Sequence, residues 1–181
     1  LKEILGIVIH WTANLRNGAG VLNHLRYVGR NYKVVNRKYK ETNGSSFRYG
    51  AGQFYVDSDG IGSPIPEDEV TWHVGSSSYT DLKHKLVGSD NPNNYFIGIE
   101  CCVNKDGDFY EMLDNVISLV YYLMKKYNLT TDDIYRHKDI TGKYCPMFSI
   151  GESEAENYNL PYIPFYEFKN MVNEKSERFS D

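Results

Sequence analysis

Residues 135–146 read Tyr-Arg-His-Lys-Asp-Ile-Thr-Gly-Lys-Tyr-Cys-Pro. This segment places His137 and Cys145 in one polar loop, with Lys143 two residues before the cysteine. Histidine nitrogen and cysteine sulfur are both good zinc ligands. Another histidine, His10, ends an apolar run near the start of the chain. Together these residues predict a three-ligand metal site with an open position, the usual arrangement of a hydrolytic zinc centre.

His10 ends an apolar segment, residues 4–10, that is typical of a buried strand. Because successive strand side chains point to opposite faces, His10 shares its face with Gly6 and Val8. A histidine that leaves the end of such a strand is held rigidly enough to bind a metal. A structural histidine fits the same segment, and the segment taken alone favours that role.

Composition limits the classes of function. With 181 residues, the chain is long enough for one domain with a well-buried core. The charged fraction of 24% is that of a soluble globular protein. The formal net charge is −4 and basic residues do not cluster, which argues against a nucleic-acid partner. No apolar run approaches the length of a membrane span, so we expect no membrane insertion.

The three cysteines do not predict a disulfide scaffold. Cys101 and Cys102 are neighbours, and a disulfide between neighbouring cysteines is strained. The third, Cys145, stands alone in its segment. This count favours a chain made in a reducing compartment, with at least one cysteine kept as a thiolate.

Strand-like and helix-like segments alternate along the chain. Apolar patterns predict strands over residues 4–10, 53–57, 61–65 and 96–103, the middle two forming a hairpin. Helical periodicity predicts helices over 20–37, 111–127 and 161–178. The polar stretches 75–94 and 152–159 are predicted connections, the first being a functional loop or containing a short helix. We therefore expect an α/β fold, a single domain with a central mixed β-sheet flanked by helices.

Glu100 is the most unusual residue of the predicted strands. It lies in the apolar segment Ile-Gly-Ile-Glu-Cys-Cys-Val, where a carboxylate is expensive to bury without a partner or a task. Gly98 and Cys102 share its face and leave space beside it. A raised pKa in such a setting suits a general base at neutral pH. An ion pair with a lysine or arginine explains the segment equally well.

Two further residues are candidates for substrate contact or charge stabilisation. His73 follows Trp72 and precedes the long polar stretch, so it either binds substrate or caps that loop. Lys143, close to Cys145 in sequence, is placed to stabilise negative charge on a tetrahedral intermediate. A solvated surface lysine is the alternative for Lys143.

Four segments, in this order, resemble the zinc-dependent N-acetylmuramoyl-L-alanine amidases, the family that includes amidase-type phage lysozymes and peptidoglycan recognition proteins. They are Ile-Val-Ile-His-Trp-Thr-Ala-Asn at 7–14, Glu-x-x-x-x-Trp-His-x-Gly at 67–75, Asn-Tyr-Phe-Ile-Gly-Ile-Glu at 94–100, and His-x-Asp-x-Thr-Gly-Lys-x-Cys-Pro at 137–146. Together they span most of the first 150 residues, which makes the resemblance specific.

The resemblance implies a set of roles. His10, His137 and Cys145 would bind Zn²⁺, Glu100 would be the general base, and Lys143 would stabilise the oxyanion. His73 and Trp72 would line the substrate groove. The reaction would be hydrolysis of the amide that joins N-acetylmuramic acid to L-alanine of the peptidoglycan stem peptide. The fold would be that of the amidase-type phage lysozymes.

The resemblance also predicts where such a protein acts. Endolysins are made in the host cytoplasm and released at lysis, whereas autolysins are exported, and both act on the bacterial cell wall. We expect residues 1–181 to be an amidase catalytic domain. Its polar end, 173–181, is expected to begin a linker to a wall-binding domain.

One segment departs from the family pattern. Many relatives have a histidine on the strand after the first helix, where this chain has Gln53. Some relatives have an active-site tyrosine just before that histidine, where this chain has Gly52. Tyr49 could take its place only if the preceding loop folds back.

Three other hypotheses remain open at the level of sequence. The first is a module that binds peptidoglycan without cutting it, against which the presence of Cys145 argues. The second is a cysteine hydrolase that uses Cys145 with His137 or His10. The third is a structural zinc site with all four positions filled, Cys102 or Glu100 being the extra ligand.

Overall fold

The structure is a computed structural model that describes residues 1–35 and 50–178, with the side chains of 29–35, 177 and 178 left aside. Its strands are β1 (Gly6–Trp11), β2 (Phe54–Val56), β3 (Ile61–Gly62), β4 (Phe96–Cys101) and β5 (Ile134–Arg136). Its α-helices are α1 (Val21–Val35), α2 (Asp81–Val87), α3 (Phe109–Tyr127), α4 (His137–Thr141), α5 (Glu152–Glu156) and α6 (Phe165–Arg178). Three short 3₁₀ helices are formed by Pro92–Asn94, Thr131–Asp133 and Met147–Ser149.

The five strands form one mixed sheet in the order β3-β2-β4-β1-β5. The strands β2, β4, β1 and β5 run parallel, and β3 pairs antiparallel with β2 at the edge. The predicted hairpin is therefore confirmed as the β2–β3 pair. The predicted α/β fold, a single domain with a central mixed sheet flanked by helices, is confirmed too.

Helices cover both faces of the sheet. On one face, Ile7, Ile9, Ile97 and Ile99 pack into a large cluster with the apolar sides of α3 and α6. On the other face, smaller clusters form against α2 and α4 and against α1. A largely parallel sheet needs such two-sided cover, because both of its faces are apolar. The predicted alternation in β1 is confirmed, since Val8 packs on the face opposite to Ile7 and Ile9.

The helix α3 shows how sequence signals set an element's bounds. Asp108 begins it, since its carboxylate accepts hydrogen bonds from the backbone N–H groups of Tyr110 and Glu111. Asn128 ends it in the left-handed conformation, with φ of 53°. Its buried face consists of Met112, Leu113, Val116, Ile117, Leu119, Val120, Leu123 and Met124. Within residues 1–35 and 50–178, neither α3 nor any other helix is long and apolar enough to cross a bilayer.

Three details of local structure differ from the prediction. The sequence patterns do not indicate β5, which has only three residues, and they place His137 in a polar loop although it begins α4. Residues 152–159 were expected to be loop, but α5 forms there because Ala155 is fully buried and anchors an otherwise polar turn. Residues 173–178 form the end of α6. That 173–181 begin a linker to a wall-binding domain stays a prediction, and 179–181 lie outside the described residues.

A buried carboxylate fixes the start of α1 from a distance. Asp57, only 7% exposed, follows β2, and its Oδ2 accepts a hydrogen bond from the backbone N–H of Val21 at 2.6 Å. Its Oδ1 accepts from the N–H groups of Asp59 and Gly60 in the β2–β3 turn. Gly20 allows this approach, because a Cβ there would lie 2.5 Å from Asp57 Oδ2. One side chain thus joins the helix to the hairpin.

Replacing Asp57 with alanine is expected to destabilise the protein by roughly 2–3 kcal/mol, because the helix N-terminus and the turn lose their acceptor together. Urea unfolding in the presence of a chelator measures this effect without any contribution from metal. The matched control is Asp59→Asn, an exposed carboxylate in the same turn. A loss in Asp57→Ala no larger than in this control would contradict the assigned role.

Candidate metal centre and groove

The pairing of β1 with β4 brings two candidate residues side by side. His10 and Glu100 are direct partners in the parallel register. Both therefore leave the sheet on the same face, the one opposite to the large apolar cluster. The neighbouring strand β2 adds Tyr55 as the partner of Glu100 on its other side. Sequence alternation predicted the face of each residue, and register, which it did not predict, makes them neighbours.

His137 reaches the same place through β5. Ile9 of β1 pairs with Arg136, so His137, the next residue, begins α4 beside His10. The chain then returns, and the backbone N–H of Lys138 donates to the carbonyl of Cys145 at 3.1 Å. This hydrogen bond holds the two ends of the segment together. Both predicted ligands are buried, although the segment is polar in sequence: His137 is 7% exposed and Cys145 3%.

An ion pair within the segment fixes the start of α4. The guanidinium of Arg136 donates two hydrogen bonds to the carboxylate of Asp139, at 2.8 and 3.1 Å, and the backbone N–H of Arg136 donates a third. Arg136 also donates to the carbonyl of Ser149 and lies over the ring of Phe165. The residue before His137 is thus tied to both the following loop and α6, which limits the movement of the histidine.

The three predicted ligands form a compact cluster. His10 Nδ1 lies 3.1 Å from His137 Nδ1 and 3.8 Å from Cys145 Sγ, and all three atoms lie within 4.8 Å of one another. A tetrahedral zinc site separates two nitrogens by about 3.4 Å and a nitrogen from a sulfur by about 3.6 Å. The donor set and its spacing therefore fit one zinc ion. Among residues 1–35 and 50–178, this is the group of histidine, cysteine and acidic side chains close enough to hold a metal.

The protonation of the histidines suits metal binding. Burial lowers the pKa of His10 well below its usual 6.5, and the neighbouring histidines and Lys143 lower it further. Burial, with a smaller effect of Lys143, lowers the pKa of His137 to about 4. Both imidazoles are therefore neutral at pH 7, and a neutral imidazole is the form that binds a metal.

The protonation of Cys145 bears on the cysteine-hydrolase hypothesis. Burial raises the pKa of its thiol to about 12, and the charge of Glu100 adds to this. A catalytic cysteine needs the opposite, a lowered pKa and access to substrate. A metal cation, by contrast, stabilises the thiolate directly. The environment of Cys145 is that of a metal ligand more than that of a nucleophile.

The carboxyl group of Glu100 has a pKa far above its usual value. Burial raises its pKa to about 8, and the nearby ammonium of Lys143 offsets part of this rise. The side chain is partly accessible from the groove, and Gly52 leaves room for it, since a Cβ there would lie 3.2 Å from Glu100 Cγ. Lys143 itself is exposed, so its charge acts on the cluster from the solvent side. The ion-pair alternative for Glu100 is not supported by a hydrogen-bonded lysine or arginine among the described residues.

The pKa of Glu100 predicts how stability depends on pH. Because it is raised in the folded state, the stabilising contribution is complete below the unfolded value of 4.5 and is lost as pH rises through about 8. Glu100→Gln removes this effect. The metal-free variant is therefore expected to exceed the wild type in stability by roughly 1–3 kcal/mol at pH 8.5, and by much less at pH 5.

Urea unfolding at the two pH values, with chelator present, checks this prediction. Glu3→Gln, at an exposed carboxylate, is the control and is expected to show no such pH dependence. A stability difference between Glu100→Gln and wild type that does not change with pH would contradict the raised pKa.

A groove of about 430 Å³ opens beside Glu100. Its described walls come from the end of β1, the segment after it, α1 and β2, and consist of Trp11, Thr12, Asn14, Ala19, Asn23, His24, Tyr27, Val28, Gly50, Tyr55 and Glu100. No sequence pattern distinguishes Asn23, Tyr27 or Tyr55 as groove residues. Asn23 and Tyr27 lie on α1 and Tyr55 on β2, and each fits the pattern of an ordinary amphipathic element. Only the fold brings the three residues to one groove.

The two predicted substrate contacts lie in different surroundings. Trp72 is 54% exposed, whereas His73 is 7% exposed and lies behind His10. His10 Nε2 and His73 Nδ1 are 2.9 Å apart, and His73 Nε2 is 3.0 Å from the carbonyl of Phe96. Neither residue belongs to the described walls of the groove beside Glu100. Substrate contact by Trp72 and His73 stays a prediction.

Gln53, which stands where many relatives have a histidine, forms hydrogen bonds with backbone groups of two other segments. Gln53 is fully buried, and its amide donates to the carbonyl of Glu69 and accepts from the N–H of Gly98. It therefore links β4 to the segment that leads into Trp72. Tyr49, whose part in catalysis depends on the preceding loop, lies outside the described residues.

The structural-zinc hypothesis required a fourth protein ligand. Cys102 lies in a different cluster, packed with Val21 and Tyr55, and its Sγ is 3.7 Å from His24 Nδ1. Within the described part of the chain, the group able to hold a metal consists of His10, His137 and Cys145 only. Three ligands leave a coordination position open, as in catalytic zinc sites.

Known proteins share this arrangement of sequence and fold. A sequence model of the family described as N-acetylmuramoyl-L-alanine amidase matches residues 1–148. A probable N-acetylmuramoyl-L-alanine amidase of Bacillus licheniformis is 35% identical over 147 residues, covering 81% of this chain and 37% of the relative. The N-acetylmuramoyl-L-alanine amidase BlyA of Bacillus subtilis (strain 168) is 31% identical over 182 residues, 97% of this chain and 42% of BlyA.

The fold has solved counterparts as well. The catalytic domain of XlyA superposes with a TM-score of 0.64 and 27% identity, covering 93% of this chain and 86% of that one. This chain spans less than half the length of the curated relatives described above. The family match extends over His10, Glu100, His137 and Cys145. By its sequence and its fold, the chain belongs to the N-acetylmuramoyl-L-alanine amidase family.

Proposed function

We propose that this chain is the catalytic domain of a zinc-dependent N-acetylmuramoyl-L-alanine amidase. Its substrate is bacterial peptidoglycan, and the bond it hydrolyses joins the lactyl group of N-acetylmuramic acid to L-alanine of the stem peptide. The observation that supports this most strongly is the cluster of His10 Nδ1, His137 Nδ1 and Cys145 Sγ, whose spacing fits zinc, beside the groove that Glu100 lines.

An amide is a weak electrophile, so the reaction needs activation of both the carbonyl and the water. When bound, zinc supplies a Lewis acid that polarises a carbonyl and lowers the pKa of water to about 7. His10, His137 and Cys145 would hold it, and the two buried imidazoles, being neutral, would add no charge of their own to the site. The cation also favours the thiolate form of Cys145.

Glu100 is the group best suited to move the proton. As the base it takes a proton from the attacking water, whose oxygen adds to the carbonyl carbon. The carbon–nitrogen bond then breaks, and Glu100 returns the proton to the leaving nitrogen of L-alanine. The products are a free carboxylate on the lactyl group and a free amino group on the peptide. A pKa near 8 without metal suits both halves of this exchange, because it lies close to neutral pH.

Lys143 is suited to electrostatic stabilisation. Its ammonium lies on the solvent side of the cluster and lowers the pKa of His137, His10 and Glu100, so its field reaches the reacting region. Negative charge develops on the carbonyl oxygen as water adds. A cation aimed at that charge lowers the barrier more than it strengthens binding of the neutral amide.

The groove has the chemistry of a site for a glycan joined to a peptide. Trp11, Tyr27 and Tyr55 contribute aromatic rings to its walls, and Asn14 and Asn23 contribute side-chain amides. The protein therefore acts on the cell wall, reaching it by release at lysis if it is an endolysin or by export if it is an autolysin. Residues 1–181 would form the catalytic domain.

The alternative of a module that only binds peptidoglycan differs in its products. We expect incubation with insoluble peptidoglycan to expose new amino-terminal L-alanine, detected by amine labelling and hydrolysis, without new reducing sugar ends. Saturable binding to the wall without new L-alanine ends or new reducing sugar ends would show that the protein is a binding module and not an amidase. New reducing ends without L-alanine would indicate a glycosidase and overturn the proposal.

A further inference from the structure

We infer that His73 is a positioning residue of the metal centre, which accepts a hydrogen bond from His10 and thereby directs His10 Nδ1 toward His137 and Cys145. The inference rests on the proposed metal site. It assigns His73 a role other than the substrate contact that the family resemblance implies. The inference depends on one contact: His10 Nε2 lies 2.9 Å from His73 Nδ1.

The hydrogen bonds around His73 permit one arrangement of protons. His73 Nε2 is 3.0 Å from the backbone carbonyl of Phe96, which only accepts, so this nitrogen bears the hydrogen. In a neutral imidazole, His73 Nδ1 is then an acceptor. The hydrogen between the two rings must therefore belong to His10 Nε2, which leaves the lone pair of His10 on Nδ1, the atom that faces the cluster.

His73 is itself held from several sides. The side-chain oxygen of Asn93, a fully buried residue, accepts hydrogen bonds from the backbone N–H groups of His73 and Val74, each at 2.9 Å. The rings of His10 and His73 meet edge to face, with centroids 5.0 Å apart. A ring with a fixed backbone and two fixed nitrogens can impose its orientation on a neighbour. Partners of this kind orient metal-binding histidines in other proteins.

Gly98 supplies the space that this arrangement needs. It lies on the same face of β4 as Glu100, and a Cβ at this position would lie 2.7 Å from His73 Cγ and 2.8 Å from His73 Nδ1. No real Cβ tolerates such contacts, so any larger residue at position 98 would displace the imidazole. The glycine allows His73 to lie against β4 and reach His10. Gly98→Ala therefore disturbs His73 without changing it chemically.

The test is a measurement of zinc affinity, by competition against a chromophoric chelator, on the whole chain. His73→Gln and His73→Ala are expected to bind zinc about 10–100-fold more weakly than wild type, the usual loss for a removed partner of a metal ligand. His73→Asn is expected to stay within about threefold, because its Oδ1 can occupy the place of Nδ1 and accept from His10. The amide of glutamine is placed like Nε2 instead. The control is His84→Ala, which removes an exposed histidine of α2.

Two further measurements keep the result interpretable. Far-ultraviolet circular dichroism of the metal-free variants establishes that each is folded, and Gly98→Ala provides a second route if a His73 variant is not. The visible spectrum of the Co²⁺-substituted protein reports ligand geometry, and we expect it to change in Gly98→Ala and His73→Gln but not in His73→Asn. If His73 contributed only to the stability of the fold, the zinc affinity and the Co²⁺ spectrum of its folded variants would equal those of wild type.

Equal zinc affinity in wild type, His73→Gln and Gly98→Ala would overturn this inference while leaving the proposed metal site intact. An unchanged zinc affinity accompanied by a raised KM for peptidoglycan fragments would also overturn it, and would restore the substrate contact. A wild-type chain that binds no zinc would remove the proposed metal site and, with it, this role of His73.

Discussion

Replacing Cys145 with serine is expected to weaken zinc binding by more than 100-fold, beyond the 10–100-fold loss typical of an outer partner of a metal ligand. Cys145 Sγ is the one sulfur of the proposed ligand set, and a hydroxyl at its place does not supply a comparable anion. Hydrolysis of peptidoglycan is expected to fall below detection. Isothermal titration with zinc and release of L-alanine ends, measured on the same preparation, check both effects.

Cys102→Ala is the matched control for Cys145→Ser. Cys102 is also buried, but it packs beside His24 and Tyr55 and lies outside the proposed ligand set. We expect this variant to bind zinc as tightly as wild type. If Cys145→Ser kept its zinc, or if Cys102→Ala lost it, the ligand assignment would be wrong. Loss of activity with zinc fully retained in Cys145→Ser would point to a cysteine nucleophile.

Replacing Glu100 with glutamine is expected to lower turnover by about 10²–10⁴-fold while zinc affinity stays within a few-fold of wild type. Glutamine keeps the shape of the side chain but cannot take up a proton. Glu100 lies beside His10 in the sheet register, so the substitution could also lower turnover by disturbing the metal ligand His10. Measuring kcat, KM and zinc affinity separately distinguishes lost chemistry from lost metal.

Glu3→Gln, a change at an exposed carboxylate, is the control for this substitution and should retain full turnover. Near-normal turnover in Glu100→Gln would exclude Glu100 as the base. An equal loss of zinc and of turnover would make it a residue that supports the metal site. In either case the proton would have to be moved by another group.

Much of the fold follows from local patterns. The apolar alternation of β1 and β4 predicts two buried strands, and the periodic apolar face of residues 111–127 predicts the helix α3. These elements are long enough for periodicity to be distinct. By contrast, β5 has three residues and α5 has five, too few for any period to appear. Their existence depends on pairing with β1 and on burial of Ala155, which are tertiary effects.

The metal ligands were predictable from residue type and family resemblance, whereas their surroundings were not. Nothing in the spacing of His10 and His73 indicates that their rings share a hydrogen bond, since 62 residues separate them in the chain and only the sheet brings them together. Gly98 appeared in the sequence as a small neighbour of Glu100. Its contact with the ring of His73 explains why the small residue is needed there.

The central claim is that a metal held by His10, His137 and Cys145 is required to cut the bond between N-acetylmuramic acid and L-alanine. It is tested most directly by mass spectrometry of peptidoglycan fragments after incubation with the protein, with chelator, and with chelator followed by zinc. We predict free stem peptides that begin at L-alanine in the first and third reactions and none in the second. Stem peptides released equally in the presence of chelator, or sugar–peptide links that stay intact in all three, would contradict the account.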